Sequence, residues 1–443
     1  MGHPVHPNQE NTEQNTKEDT MKKTLGAVAL IGASALVLAG CAGSSDEGGS
    51  SSEEGAEIRV WLVGTDTPQD ARDYLKETFE EENPGSTLVI EEQQWTGLVD
   101  KLTTSLSSND SPDIVEMGNT QAPAFTSSGA LLSLDDIEGD LGGDDLLPGF
   151  VEAGSWDDTL FAAPYYSGAR VVFYNTAMYE QAGVAVPTTL DEYVSNGVTL
   201  AGALPGVSGV YFPGKDWYNA LPFIWENGGG IAVQDGDEWD AQLSSDESLA
   251  GLAQVQQLMT EASLAPKDGD EAEGWVPFRT EQSATYSAPS WAYWSIVADE
   301  DKQPTPVADL TGYFALPGMD GGAAQVFAGG SNIGIAAKSQ NPDLAKSALQ
   351  IMLSEEYQTI LAENGLVPAL VSLGDKVAAA TPELATVIAE AAADAKLTPA
   401  SPNWADVEAQ GIMQDLFVNI ANGGDIEELA TAADEQIEEI LNG

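Results

Sequence analysis

Between Ile58 and Met117 the hydrophobic period switches repeatedly between two residues and about 3.6, and this alternation constrains the fold more than any other feature. Ile58, Val60 and Leu62 alternate with Arg59, Trp61 and Val63, which reads as a strand. Gln69 to Asn83 sets Ala71, Leu75 and Phe79 on one helical face, and Asn83-Pro84-Gly85 ends it. Residues 86–92 read as a second strand, and Leu98, Leu102 and Leu106 mark a second helix. Ser111-Pro112 then leads into a third strand, Asp113 to Met117. The order β-α-β-α-β implies a parallel sheet with helices on its faces. Such sheets bind ligands beyond the carboxyl ends of their strands. Those ends here are Val63-Gly64-Thr65-Asp66 and Gly118-Asn119-Thr120. Further on, Pro164-Tyr165-Tyr166 precedes a β-rich run from Arg170 to Tyr174. Helices are expected over Pro342–Asn364, Lys376–Asp394, Asp406–Ala421 and Asp425–Leu441, and no internal repeat is visible.

The first sixty residues concern location. Residues 1–20 are polar and read as an upstream mis-start or an extension. From Met21, Lys22-Lys23 and an apolar run to Leu38 end in Leu38-Ala39-Gly40-Cys41. A basic start, a short apolar stretch and small residues make an export signal. The run is shorter than the ~20 residues a membrane-spanning helix needs. Its last four residues resemble the lipobox of bacterial lipoprotein signals, which implies a signal peptide over 21–40, cleavage before Cys41 and lipid on its thiol. An ordinary signal with an incidental cysteine is the other reading. Residues 41–57 continue as a Ser-, Gly- and Glu-rich stretch, suited to a flexible, self-repelling tether.

Composition removes several function classes. The chain carries 71 Asp+Glu against 16 Lys+Arg, a net charge of −55. A nucleic-acid binder would need a basic face instead. The acidic excess fits either a well-solvated exported surface or adaptation to high salt. A single Cys excludes an internal disulfide framework. Both histidines, His3 and His6, precede the signal, so a processed protein has none for catalysis or metal binding. Gly209 to Asp216, GVYFPGKD, misses the phosphate-binding loop because Asp216 replaces the hydroxyl residue and Pro213 removes an amide donor. Asp235-Gly236-Asp237 and Asp268-Gly269-Asp270 begin like calcium loops but lack the terminal Glu at the required spacing. No cofactor is expected.

The aromatic residues carry the positive signal. Trp61, Tyr165, Tyr166, Trp217, Tyr218, Trp225, Trp291, Trp294 and Trp404 fall at strand ends or in loops rich in Gly, Pro and Asn. A sugar has an apolar C–H face that stacks on a flat ring, and hydroxyl edges for Asp, Asn and Arg. Packing in a core or hinge is the alternative for any one of them.

Several segments together resemble the extracellular solute-binding proteins, family 1, of carbohydrate ABC importers, whose layout is that of maltose-binding protein. They are IRVWLVGTDTPQDARDYLKETFEEENPGSTLVIEE, SPDIVEMGNTQAPAFTSSGALLSLDD, AAPYYSGARVVFYNTAMYEQAGVAVPTTLDEY, WYNALPFIWENGGGIA, FRTEQSATYSAPSWAYW and GGSNIGIAAKSQNPDLAKSALQIMLSEEYQTILAENGLVPAL. Glu281 stands where the family commonly has Gly. The resemblance implies an α/β, two-lobe, type II periplasmic-binding-protein-like fold, each lobe a mostly parallel sheet flanked by helices. One lobe would be 57–166 plus 312–370, the other 170–307 plus 374–443, with hinges near Ser167–Arg170, Ala308–Gly312 and Val371–Gly374. Matching positions imply ligand contacts from Trp61, Thr65, Asp66, Asn119, Thr120, Tyr165, Tyr166, Trp217, Tyr218, Trp291 and Trp404, with Ser331 and Asn332 on a crossing segment. Trp225, from the aromatic pattern, and Arg170, as a polar contact, complete the expected set. Asp66 and Arg170 fit a helix cap or a structural ion pair equally well. The implied partners are a mono- or oligosaccharide, two permease subunits and, through the anchor, the outer face of the cytoplasmic membrane. The protein is expected to be a monomer without enzymatic activity. A surface glycoside hydrolase with two carboxylates, or a carbohydrate-binding lipoprotein without a transport role, are the alternatives.

Overall fold

The stretch Ala162–Asn175 is the spine of the molecule, because one extended run of chain serves two different sheets. In the computed structural model, strands β1 (Glu57–Val63), β2 (Thr87–Gln93), β3 (Ile114–Gly118), β6 (Ala162–Gly168), β12 (Gly329–Ile335) and β13 (Val367–Pro368) form a six-stranded sheet ordered β13-β6-β12-β3-β1-β2. Two short hairpins lie outside it, β4–β5 (Ser155–Trp156 with Thr159–Leu160) and β8–β9 (Ala232–Asp235 with Glu238–Ala241). Strands β7 (Arg170–Asn175), β10 (Thr285–Pro289) and β11 (Thr311–Phe314) form a second sheet, β10-β7-β11. The structure describes residues 55–443 except 237, 300–302, 381 and 394, all within the unit Ser52–Gly443. The expected signal peptide, Cys41 and nearly all of the tether lie outside the described residues.

Strand direction follows connection length. β1 runs parallel to β2 and β3, because the helices Gln69–Glu82 and Leu98–Ser107 carry the chain back each time. β12 is antiparallel to both β3 and β6, and every pair within the second sheet is antiparallel. Parallel pairing between named strands is therefore confined to β2-β1-β3. In the second sheet it returns only as bridges from Ser208 and Tyr211 to Ser283 and Tyr286.

Residue parity sorts the first core. Ile58, Val60 and Leu62 face Ala71, Leu75 and Phe79 of the first helix. Trp61 and Val63, on the opposite face, join Leu98, Leu102 and Leu106 of the second. The second sheet has its own larger core, in which Val171 and Phe173 meet the helices of residues 190–262 and 382–441. Two sheets with separate cores make two lobes.

Three crossings join the lobes. The first is Ala169 alone, between β6 and β7. The second runs between Phe314 and Gly329. This corrects the expected hinge at Ala308–Gly312: Thr311–Phe314 pairs with β7, and Phe314 packs on Tyr174 and Tyr193 of the second lobe. A four-residue strand carries too little periodicity to assign to a sheet. The third leaves β13 and reaches the helix Pro382–Ala392, which packs on β7 and β11.

Three long expected helices are each divided, at positions the sequence marks. Pro342–Met352 and Glu355–Glu363 separate where Ser354 caps the second through Tyr357 N–H. Gly374–Ala380 and Pro382–Ala392 separate before Pro382, and Trp404–Ala409 and Ile412–Ala421 at the left-handed Gly411. The final helix, Ile426–Leu441, starts on the Asp425 cap.

Gly168 closes the first strand of the crossing under the Trp291 indole, and a Cβ there would overlap that ring. Gly168→Ala should therefore lower the melting temperature by several degrees, the expected cost of overpacking being about 1–3 kcal/mol. Adding Trp291→Ala should recover part of that loss in the same melt. An unchanged melting temperature for the single variant would refute this reading of the crossing.

Candidate functional site

The loop after β1 is built before anything binds to it. Gly64 takes a left-handed turn at φ +58°. Arg72 donates Nη2 to Gly64 O at 2.7 Å and Nε to Thr67 O at 2.9 Å, clamping the loop onto the first helix. The hydroxyls of Thr67 and Tyr165 share a hydrogen bond of 2.9 Å. Asp66, held between these anchors, accepts from Trp95 Nε1 at 3.1 Å. Trp95 is 40% exposed, and its ring lies over Gly64 and Gly118, the ends of β1 and β3. A flat ring and a carboxylate thus stand together at the carboxyl edge of the sheet.

Behind them lies a buried polar row. Glu116, fully buried on β3, accepts from Val63 N–H at 2.8 Å and from the Tyr166 hydroxyl at 2.8 Å. Ser331 donates to the Tyr166 hydroxyl at 3.3 Å. Burial raises the Glu116 pKa to about 7, against the pull of its hydrogen bonds. Burial likewise raises that of Asp66, opposed by Trp95 and Arg72.

The second lobe contributes a more charged wall. Arg170, the first residue after the crossing, is 4% exposed. It donates Nη2 to Glu271 at 2.7 Å and sits 5.4 Å from the centre of the Tyr218 ring. Its Nε and Nη1 have no partner among the described residues. Burial works to lower the Arg170 pKa, but Glu271 and Asp216 hold it above its ordinary value. Asp216 is buried and fixed by Asn219, which donates Nδ2 at 2.7 Å and its backbone N–H at 3.3 Å. Burial and Glu271 push the Asp216 carboxyl up. Tyr218, half-buried, stacks on Phe327 at 4.5 Å and lies 4.0 Å from Trp217.

The helix Trp404–Ala409 closes one side. Glu408 accepts from Trp404 Nε1 at 3.1 Å. Burial raises its pKa to about 7, against hydrogen bonds from Thr120, Trp404 and Gln121. Thr120 and Gln121 belong to the first lobe, so Glu408 spans the gap. Gln121 Oε1 is a buried acceptor without a partner among the described residues. A surface hollow of 430 Å³ lined by Glu138, Val151, Trp156 and Asp158 shares none of these residues. Among the described residues no group of three or more His, Cys, Asp or Glu is placed to hold a metal ion.

Of the expected contacts, the structure gathers Asp66, Thr120, Tyr166, Arg170 and Tyr218 around this gap, with Thr65 exposed beside Asp66 and Trp291 half-buried on the crossing. Ser331 stands behind Tyr166. The others take different positions. Trp61 lies in the first lobe's outer core, bonded to Glu91 at 2.7 Å. Tyr165 points into the opposite core and meets the Tyr357 hydroxyl at 2.6 Å. Asn119 donates Nδ2 to Ala328 O at 2.8 Å and Asn332 donates Nδ2 to Phe150 O at 2.8 Å, both tying backbone. Trp217, Trp225 and Trp404 are sealed in the second core, with Lys396 5.7 Å from the Trp225 ring. Trp95, Glu116, Gln121, Asp216, Glu271 and Glu408 were not anticipated. Trp95 alone carried a legible signal, an aromatic in a polar loop directly after a strand.

Known proteins share this organisation. The family profile of bacterial extracellular solute-binding proteins matches residues 64–359. The diacetylchitobiose binding protein DasA of Streptomyces coelicolor is 32% identical over 398 residues, covering 88% of this chain and 91% of that protein. A mannitol-binding protein of Pseudomonas aeruginosa is 27% identical over 329 residues, covering 70% and 72%. The GacH receptor of Streptomyces glaucescens superposes with a TM-score of 0.76 at 20% identity, covering 88% of this chain and 99% of that one. Maltose-bound MalE3 of T. maritima gives 0.75 at 19% identity, covering 87% and 100%.

Glu116 sets a pH dependence with a definite sign. Its folded pKa of about 7 lies above its ordinary 4.5, so the folded chain holds a proton that the unfolded chain releases. Stability should fall as pH rises through that window, by roughly 3 kcal/mol from this group. Glu116→Gln, which cannot ionise, should lose less between pH 5 and pH 8 in chemical denaturation. Equal losses for both proteins would remove Glu116 from the account.

Proposed function

The chain belongs to the bacterial extracellular solute-binding proteins, and from that premise we propose that it captures an oligosaccharide between its lobes and hands it to an ABC permease while anchored by lipid through Cys41. The family is one of sugar-binding proteins of ABC importers. One observation carries the oligosaccharide reading. Two rings, Trp95 open to solvent and Tyr218 half-buried, stand on different lobes, each beside a charged group that can bind hydroxyls. Two stacking surfaces suit a ligand with more than one sugar face. Diacetylchitobiose is the first candidate to test, being the ligand named for the 32% identical relative.

Capture works by differential affinity. A ligand touched from both lobes stabilises the closed arrangement, and hinge closure around ligands is the known motion of periplasmic binding proteins. Ala169, a crossing of one residue, leaves the lobes little freedom except rotation about it. The proposal includes no bond-breaking step: the ligand leaves as it arrived.

Calorimetry with diacetylchitobiose, maltose and mannitol tests the reading. At least one carbohydrate should bind, shift tryptophan fluorescence and come off unaltered in chromatography. Trp95→Ala should weaken it roughly 10- to 100-fold, the worth of about 1.5–3 kcal/mol of covered ring, with its melting temperature kept. No binding, or a changed product, would reject the proposal. Membrane fractionation tests the anchor: Cys41→Ser should move the protein to the soluble fraction.

A further inference from the structure

The second-lobe wall holds more hydrogen-bond donors than the protein itself satisfies. Arg170 uses Nη2 on Glu271 and leaves Nε and Nη1 unpartnered among the described residues. Trp217 Nε1 is another buried donor in the same state, but its ring is sealed in the second core, so Arg170 is the donor that stands beside the gap. Neither side chain can accept a hydrogen bond. Native interiors rarely leave such groups unpaired. Beside a binding cleft the natural partner is an acceptor atom of the ligand.

The neighbours of Arg170 restrict what that acceptor can be. Glu271 is bonded to the guanidinium, and Asp216 is close enough to act on it. Asp66 and Glu408 add carboxylates from other sides of the gap. An anionic ligand would meet this excess of negative charge. An ammonium group would bring donors to a residue that already has too many. A hydroxyl can accept from the guanidinium, but less strongly than an amide carbonyl, and it also brings a donor of its own. An uncharged carbonyl oxygen satisfies all three limits, and among sugars it is the N-acyl group of an amino sugar that supplies one.

We propose that Arg170 determines specificity by donating to the acyl oxygen of an N-acylated amino sugar, selecting it over the parent hydroxyl sugar, the free amine and the uronic acid. This rests on the carbohydrate-binding reading above and assigns its ligand class to one residue. Glu271 acts through Arg170, orienting the guanidinium and repelling anions.

Calorimetry on the purified protein tests it with four disaccharides: diacetylchitobiose, its fully deacetylated form, cellobiose and cellobiouronic acid. Diacetylchitobiose should bind at least about tenfold tighter than cellobiose, the worth of one hydrogen bond to a charged donor, and the other two more weakly still. Arg170→Gln should bring the acetylated and plain sugars to within about threefold of each other. A merely structural role would lower both in proportion, and that result overturns the assignment. Should Arg170→Gln fail to fold, Glu271→Gln decides: it should tighten cellobiouronic acid about tenfold, and no gain refutes the charge argument. Binding of cellobiose or maltose with no preference for the acetylated sugar defeats the Arg170 assignment alone. Absence of binding by every sugar defeats the carbohydrate reading, and this inference with it.

Discussion

The structure depends on how little chain separates its two sheets at the first crossing. β6 ends at Gly168 and β7 begins at Arg170, so a single residue carries the backbone from one core to the other. The pairing of β6 with β12 shifts register between Ser331 and Asn332, and the Tyr165 and Tyr166 rings lie side by side with centroids 4.9 Å apart. Both rings pack in the first lobe's core, but the Tyr165 hydroxyl meets Thr67 and Tyr357 while the Tyr166 hydroxyl reaches Glu116 in the polar row. Arg170 emerges on the far side, against Tyr218 and Glu271. Gly168 is demanded by the same economy, since Trp291 occupies the space where a side chain would begin.

Around that spine the protein concentrates negative charge where water is scarce. With a net charge of −55 every carboxylate is repelled by the rest, and burial adds the cost of lost water. Even so, Asp66, Glu116, Asp216 and Glu408 all have pKa values raised by burial. Each is bound by donors of fixed geometry: Trp95, Val63 N–H, Asn219, Trp404. They act as oriented acceptors, and Arg170 stands among them as a buried cation with a single ion-pair partner, Glu271. Such pairing is weak support for stability but holds groups in place.

Much of this was legible in the sequence, for physical reasons that differ by element. The first β-α-β-α-β unit was readable because each helix buries a full stripe and each strand alternates cleanly. The positions of Asp66 and Thr120 just beyond β1 and β3 were readable because the strands end where their alternation ends. The aromatic signal was less discriminating. Trp61 sits one residue from Val60 and must face the other way, into a core that the second helix covers. Trp217 and Trp404 are in loops or at helix starts, yet their rings are sealed because neighbouring helices converge on them. Asp216 was set aside as a broken phosphate loop, whereas its role is visible only with Asn219 three residues on. Glu271 and Arg170 lie 101 residues apart, and nothing short of the folded chain pairs them.

The unpaired groups beside the gap bear on the capture proposed above. A buried donor without a partner costs roughly 1–3 kcal/mol relative to one that is paired. Among the described residues Arg170 carries two such nitrogens, and Gln121 carries an acceptor in the same condition. Water entering an open gap can serve them. Under the proposed capture, closure would displace that water, so closing without ligand would strand these groups and closing upon ligand would pair them. The coupling therefore needs no signal passed between distant sites. It would follow from an unpaired donor on the second lobe, Arg170, facing carboxyl groups held on both lobes, Asp66 on the first and Asp216 and Glu408 on the second.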